Sequence, residues 1–179
     1  MQPMFNIQYS EFKAAEYLTK RIKNSSAFIP LSPQQKGIDF IICKYNNEKN
    51  ITCSFQVKMS RAYDDTKYTH SLWFNTFKVH ENADWFILVG IYPENISKEN
   101  TSKISIKWKE IMLAFKNKEM ELFLDGVRQK KNPQKKDSKF GFGFDDNKKI
   151  LLTRGSVNEI DCSKYLINNR ISEIDKHFI

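Results

Sequence analysis

Two neighbouring segments, "IDFIICKY" and "ITCSFQVKMS", carry apolar residues at alternate positions and are separated by the polar stretch "NNEKN". This pattern predicts two antiparallel strands joined by a four-residue turn, Asn46 to Lys49. The apolar sides of the two strands meet when Phe40 lies across from Phe55. A slip of one residue would turn each apolar set to the wrong side of the sheet, so hydrophobic burial selects this register.

The same register gathers three polar side chains on one face of the hairpin. It places Asp39 opposite Gln56, with Lys58 further along the same side. An Asp and a Lys on a hairpin are typical of a surface ion pair on a half-exposed sheet. Here the polar residues lie at one end of a strand that is apolar on its other side, after a predicted helix that carries Glu16. This combination favours a functional site.

In this order the residues resemble the PD-(D/E)xK nuclease superfamily, the restriction-endonuclease-like proteins. The family pattern is an acid at the start of one strand and an acid or glutamine, any residue and a lysine near the end of the next. The chain has Asp39, then Gln56, Val57 and Lys58, and "AAEYLTKRI" supplies the helix glutamate, Glu16. The QxK form is similar to that of Mrr-type enzymes and of small stand-alone endonuclease domains.

The resemblance covers about residues 10 to 115 and implies an α/β fold. Its expected core is restriction-endonuclease-like, a central mixed β-sheet flanked by helices in αβββαβ order. We expect residues 1–179 to form a single domain, with a basic C-terminal extension over 125–179. The sequence departs from the family at Ile38, where many members have proline, and at Gln56, where many have a charged acid.

The resemblance also implies a chemistry, the Mg²⁺-dependent hydrolysis of DNA phosphodiester bonds of restriction or homing type, with Mn²⁺ as a substitute ion. Asp39, Glu16, the Gln56 amide oxygen and the Val57 carbonyl would be the metal ligands. Lys58 would orient the attacking water or stabilise charge on the phosphate. The same resemblance implies a homodimer, with one site for each strand of the DNA.

The helix offers a second carboxylate, Glu11. It falls on the apolar line of Ala15, Leu18 and Ile22 and could therefore also point inward. Glu16 matches the family's helix pattern better. Both residues could instead be solvated helix acids, which is the usual position of a helix glutamate.

The net charge of +8 favours a partner with a phosphate backbone. The residues expected to contact DNA are all basic: Lys13, Lys20, Arg61, Arg128, Lys130, Lys131, Lys135 and Lys136. The last five lie in "VRQKKNPQKKDSK", which could instead be a solvated loop. Four aromatic residues after the QxK motif could contact bases or belong to the core: Tyr63, Tyr68, Trp73 and Phe74.

Other site chemistries lack their motifs. The three histidines show no HxH or HExxH spacing, and the three cysteines show no CxxC spacing. The sequence contains no GxxxxGK[ST] and no GxSxG. Two alternatives to a DNA nuclease stay open: a non-catalytic module on the same fold that binds nucleic acid or a partner, which the neutral Gln56 favours, and an RNA- or transposition-related enzyme on this fold.

The location of the protein is suggested by its apolar segments and cysteines. The start "MQPMFNIQYS" lacks a basic segment followed by an apolar one, and the strongest apolar run, "WFILVGIY", is too short to cross a bilayer. Unpatterned cysteines fit a reducing compartment. We expect a soluble cytoplasmic protein without a membrane partner.

Further elements are expected outside the hairpin. Ser10 is placed to cap a helix that runs to about Lys23, with Phe12 and Ala15 on its apolar face. Residues 73–81 favour a helix, while "DWFILVGIYP", "SKISIKW" and "FGFGF" favour strands. The segment "KEIMLAFKNKEMELFL" has helical spacing at least in its first half, and a short helix is expected near the C-terminus.

Overall fold

The computed structural model describes residues 5–30, 36–46, 49–63, 67–94, 108–145 and 149–179. Its helices are α1 (Phe5–Thr19), α2 (Asn117–Asp125) and α3 (Ile167–Asp175), with 3-10 turns at Ser163–Tyr165 and Lys176–Phe178. Its strands are β1 (Ser25–Phe28), β2 (Phe40–Asn46), β3 (Lys49–Tyr63), β4 (His70–Asn75), β5 (Trp85–Pro93), β6 (Trp108–Lys116), β7 (Lys139–Phe144), β8 (Ile150–Arg154) and β9 (Ile160–Asp161).

The nine strands form one large, mostly antiparallel sheet that folds into two layers. The first layer has the order β1-β2-β3-β5-β6, in which β3 and β5 run parallel. The second layer contains β4, β7, β8 and β9 and is joined to the first through the end of β3, where Tyr63 pairs with Ser71. The expected α/β class with a mixed sheet is therefore confirmed.

The hairpin of β2 and β3 has the register that hydrophobic burial predicts. Phe40 pairs with Phe55 and Ile42 pairs with Cys53, and all four side chains are buried. The rings of Phe40 and Phe55 stack with their centroids 4.8 Å apart. Residues 47–48 of the predicted turn lie outside the described residues.

The first layer is covered on both faces. One face packs against α1 and α3, in a core whose buried members include Leu18, Phe55 and Ile174. The other face packs against the second layer and α2, in a core that includes Phe86 and Phe140. The C-terminal segment is thus part of the same folded body, since β7 pairs with β4 and α3 contributes to the first core.

Between β3 and β5 the described residues form a strand, β4, and the expected helix at 73–81 is wrong. Leu72 and Phe74 point into the second core while Trp73 between them is exposed, and β4 pairs with β7 along its length. This alternation is that of a strand half-buried by its partner layer. The αβββαβ order therefore fails after its third strand.

Two helix predictions need correction. Helix α1 begins at Phe5, so Ser10 lies inside it and is buried rather than capping its start, and Phe12 is 59% exposed. Residues Trp108–Lys116 form strand β6, and helix α2 begins only at Asn117. The strands β5 and β7 and a C-terminal helix, α3, are confirmed. Of "SKISIKW", all but Trp108 lies outside the described residues.

No helix in the described ranges combines the length and apolar character that crossing a bilayer requires.

Replacing Gly37 by alanine is expected to destabilise the fold. Gly37 has φ +87°, and a Cβ added there would lie 2.5 Å from the His80 Cβ. Left-handed backbone and steric overlap together should lower the free energy of unfolding by about 2–4 kcal/mol, measured by urea denaturation. Gly126→Ala is the control, because Gly126 has φ −80° and the nearest atom to an added Cβ is 3.3 Å away. Equal stability losses in the two variants would contradict this interpretation.

Candidate active site

Strand β2 separates from β3 at Asp39, where the Asp39 carboxylate, instead of a backbone carbonyl of β2, accepts a hydrogen bond from β3. The ladder between the strands begins at the Phe40–Phe55 pair. Just before it, the Asp39 N–H donates to the Phe55 carbonyl at 2.8 Å, while the Asp39 Oδ2 accepts from the Val57 N–H at 2.6 Å. The carboxylate is thereby fixed beside β3, at the point where the two strands diverge.

The Val57 carbonyl faces the same gap. The N–H and C=O groups of one strand residue point toward the same neighbouring strand. Since the Val57 N–H reaches the Asp39 carboxylate instead of a backbone carbonyl of β2, the Val57 C=O points past the end of the ladder. A backbone oxygen and a carboxylate therefore border one space.

Gln56 lies on the opposite side of β3 from Phe55 and Val57, just beyond the Phe40–Phe55 pair at which the ladder with β2 begins. Its side chain is only 5% exposed, and its Oε1 atom has no hydrogen-bond partner among the described residues. A buried amide oxygen left unpaired costs about 1–3 kcal/mol. This oxygen is thus available to a ligand, and a hard cation is the kind of ligand that an amide oxygen suits.

Lys58 is half-buried and shares its side of β3 with Gln56. Its ammonium lies 5.5 Å from the centre of the Phe77 ring. Within the described residues it makes no ion pair, so Asp39 and Lys58 do not form the surface pair that is common on hairpins. Its positive charge can act on a bound group.

The helix carboxylate near these residues is Glu11. Burial, and after it the charge of Asp39, raise the pKa of Glu11 to about 7, although Lys58 opposes the change. These influences place Glu11 within electrostatic reach of both Asp39 and Lys58. The sequence contained the signal, because Glu11 lies on the same helical line as the buried Ala15 and Leu18.

Glu16, favoured from the sequence, is not part of this cluster. It lies on the solvent side of α1, where its carboxylate pairs with Lys20 at 2.6 Å and with Lys13 at 3.3 Å. These two hydrogen bonds lower the pKa of Glu16. A position five residues after Glu11 is about 140° around the helix, which explains why one glutamate faces the sheet and the other faces water.

The basic residues predicted to contact DNA lie on the surface, but several of them already form ion pairs or hydrogen bonds within the protein. Lys13 and Lys20 hold Glu16, and Lys136 pairs with Asp125 at 3.0 Å. The Arg128 Nη1 donates to the carbonyls of residues 125 and 127. Lys130, Lys131 and Lys135 are exposed on a loop folded by backbone hydrogen bonds, and Arg61 is exposed beside the Tyr63 ring.

The aromatic residues after the motif divide into two groups. Tyr63 and Trp73 are 47% and 46% exposed, and both line a cleft of about 640 Å³ that also includes Lys58. Phe74 is buried in the second core. The Tyr68 ring packs over Gly143.

A second group of possible metal ligands was missed in the sequence because its members are far apart. Ligand atoms of Cys53, Asp84 and His177 all lie within 4.8 Å of one another, on the other side of β3 from Gln56. A thiol and an imidazole suit zinc better than magnesium. Burial raises the pKa of the Cys53 thiol, and the Asp84 carboxylate already accepts two hydrogen bonds from Ser54. Both features oppose metal binding there.

No protein-family model matches this chain, and neither the curated proteins nor the solved structures include a significant match to it.

Proposed function

We propose that this chain is a Mg²⁺-dependent endonuclease that hydrolyses phosphodiester bonds in DNA. The observation that carries the proposal is the electrostatic proximity of Asp39, Glu11 and Lys58, with Asp39 fixed against β3 one residue from Gln56, whose buried amide oxygen is unpaired among the described residues. Two carboxylates, a free amide oxygen and an ammonium are the groups that metal-assisted phosphodiester hydrolysis uses. The resemblance of Asp39 and the QxK segment to PD-(D/E)xK nucleases supports the same function.

The residues present fit a hard divalent cation. Asp39, Glu11, the Gln56 amide and the Val57 carbonyl would supply oxygen ligands, and the unpaired Gln56 oxygen would gain a partner. When bound, Mg²⁺ would neutralise phosphate charge and lower the pKa of a coordinated water. Because Gln56 contributes no charge, we expect weak metal affinity before DNA binds. Mn²⁺ should substitute, since it also accepts oxygen ligands.

Two side chains, Asp39 and Lys58, would assist the reaction beside the metal. Asp39 is held in place by the Val57 N–H, so its carboxylate does not have to reorganise during the reaction. Lys58, free of a described ion pair, would orient the attacking water or stabilise the negative charge that develops on the phosphate. The Phe77 ring, whose centre lies 5.5 Å from the Lys58 ammonium, offers a cation–π contact that favours this position of the charge.

The test is cleavage of a supercoiled plasmid by the purified chain. We expect nicked and linear products with Mg²⁺ or Mn²⁺ and none with EDTA. Lys58→Ala should lower the rate by at least about 100-fold, because one charge-stabilising donor typically contributes that much. Cleavage that survives both Lys58→Ala and Asp39→Ala would defeat this site assignment, and an RNA substrate in the same assay tests the rival substrate class.

A second candidate is a binding protein on the same architecture that cuts nothing. The observation that favours it is Gln56, a neutral residue where a catalytic acid would bind metal more strongly. Tight DNA binding with no cleavage under either metal would establish this alternative.

Two further parts of the proposal concern setting and assembly. We place the reaction in the cytoplasm, a reducing compartment, because Cys43, Cys53 and Cys162 are all free thiols.

We also propose a homodimer with one site for each strand of the DNA duplex. Light scattering of the purified chain measures its mass directly, and a monomer that cuts both strands would contradict the dimer.

A further inference from the structure

We propose that the cleft beside Lys58 binds an unpaired nucleotide next to the bond that is cut, so that the preferred substrate is DNA with a single-stranded segment. The inference rests on the proposed nuclease function only for the position of the cut; the binding of unpaired DNA is argued independently from the cleft.

Part of the cleft is one face of the strands β3, β4 and β7. Tyr63 pairs with Ser71, and Lys139 pairs with Asn75, so these side chains and that of Trp73 project from one side of the sheet. The volume, about 640 Å³, lies within the range of about 300–1,000 Å³ that suits a small-molecule-sized group. A nucleotide is a group of this size.

Trp73 is held in a defined orientation although it is 46% exposed. Its indole N–H donates to the Ser71 Oγ at 3.3 Å, and its backbone N–H donates to the Ser60 Oγ at 3.1 Å. The Arg154 guanidinium lies 5.1 Å from the centre of the indole and is itself fixed by the Asp137 carboxylate. A large aromatic ring that is exposed and yet fixed in this way is a stacking platform.

Gly141 lets the indole lie close against the sheet. It pairs with Trp73, and a Cβ added to it would lie 2.9 Å from the Leu72 carbonyl oxygen and 3.5 Å from the indole Cδ1. The glycine thus helps to fix the position of the ring.

The charge of the cleft complements a phosphate backbone. The described residues that line it include two lysines, Lys58 and Lys139, and no carboxylate. Arg61 adds a guanidinium 5.3 Å from the centre of the Tyr63 ring. Alternating cations and aromatic rings are typical of sites for single-stranded nucleic acid, in which bases stack on rings and phosphates contact cations.

The position of Lys58 connects this face to the candidate active site. Lys58 lines the cleft and shares its side of β3 with Gln56. A nucleotide stacked on Trp73 would therefore lie beside the phosphate that Lys58 contacts. Bases in an intact duplex are stacked on each other and cannot offer their faces to the ring, so an unpaired segment is required.

The experiment measures the binding of a fluorescently labelled single-stranded oligonucleotide and of its duplex in EDTA, where no cleavage occurs. We expect the single strand to bind more tightly, and Trp73→Ala to weaken its binding about 10-fold or more, since stacking of one base contributes about 1–3 kcal/mol. Trp73→Phe should restore much of the affinity. The matched control is Trp108→Ala, because Trp108 is 55% exposed on β6 but does not line the cleft.

Equal losses in the Trp73 and Trp108 variants, or no loss in either, would overturn the inference. So would a preference for the duplex that depends on Trp73. Thermal unfolding of each variant shows whether a loss of binding results from misfolding. If Trp73→Ala is misfolded, Lys139→Ala at an exposed position replaces it and should still weaken single-strand binding. If single-strand binding depends on Trp73 but no metal supports cleavage, the nuclease proposal fails and this inference stands. If the chain cleaves plasmid but Trp73→Ala changes neither cleavage nor single-strand binding, this inference fails and the nuclease proposal stands.

Discussion

Replacing Asp39 by asparagine is expected to lower the rate of the proposed Mg²⁺-dependent DNA cleavage by at least about 100-fold while leaving the fold intact. The amide oxygen of asparagine can still accept the hydrogen bond from the Val57 N–H, so the local backbone is retained. What is lost is one negative charge in the proposed cation site, and charge neutralisation by a bound metal contributes several kcal/mol to the stabilisation of the transition state. Initial rates of plasmid nicking measure the effect.

Asp84→Asn is the matched control for this substitution. Asp84 comes directly before β5 as Asp39 comes directly before β2, and it too accepts a hydrogen bond from a β3 backbone N–H, that of Ser54 at 2.8 Å. We expect Asp84→Asn to keep at least about half of the activity, because Asp84 is bound to Ser54 and not to the site. A similar loss of activity in both variants would show that the effect arises from the fold and not from the site.

Replacing Glu11 by glutamine is expected to raise the stability of the metal-free protein at pH 8 and to lower the proposed nuclease activity. Burial, followed by the charge of Asp39, raises the pKa of Glu11 from 4.5 to about 7. A group whose pKa rises on folding contributes its full stability below its unfolded value and loses that contribution as the pH rises through the folded value. The wild-type protein should therefore lose stability between about pH 4.5 and pH 7 from this group, and Glu11→Gln should not.

The expected gain in the free energy of unfolding at pH 8 is about 1–2 kcal/mol, after allowance for partial exposure of the carboxylate. Urea denaturation at pH 5 and pH 8 measures it, and added Mg²⁺ should stabilise the wild type more than the variant. Glu16→Gln is the control, because Glu16 is exposed and paired with Lys20 and Lys13. If Glu16→Gln lowers activity and Glu11→Gln does not, the helix carboxylate has been assigned to the wrong residue.

The structure also explains why the sequence misassigned β6 and β4. The segment Ile111–Phe115 is buried throughout, since one face of the first layer is covered by α1 and α3 and the other by the second layer. A strand covered on both faces shows no alternation, and its apolar run resembles that of a buried helix. In β4, pairing with β7 decided the conformation, and the partner is about 70 residues away in the chain.

The sequence by itself determined how β2 and β3 pair, and with it the side of β3 that Gln56 and Lys58 share, because burying both apolar faces permits one register. Only the tertiary structure decided that Glu11, and not Glu16, lies within electrostatic reach of Asp39 and Lys58, and that a cationic, aromatic cleft borders Lys58. Both outcomes depend on how α1 and the second layer pack against β3. Such contacts join residues distant in the chain: the helical periodicity placed Glu11 on the inward line of α1, but it could not tell which part of the sheet that line meets.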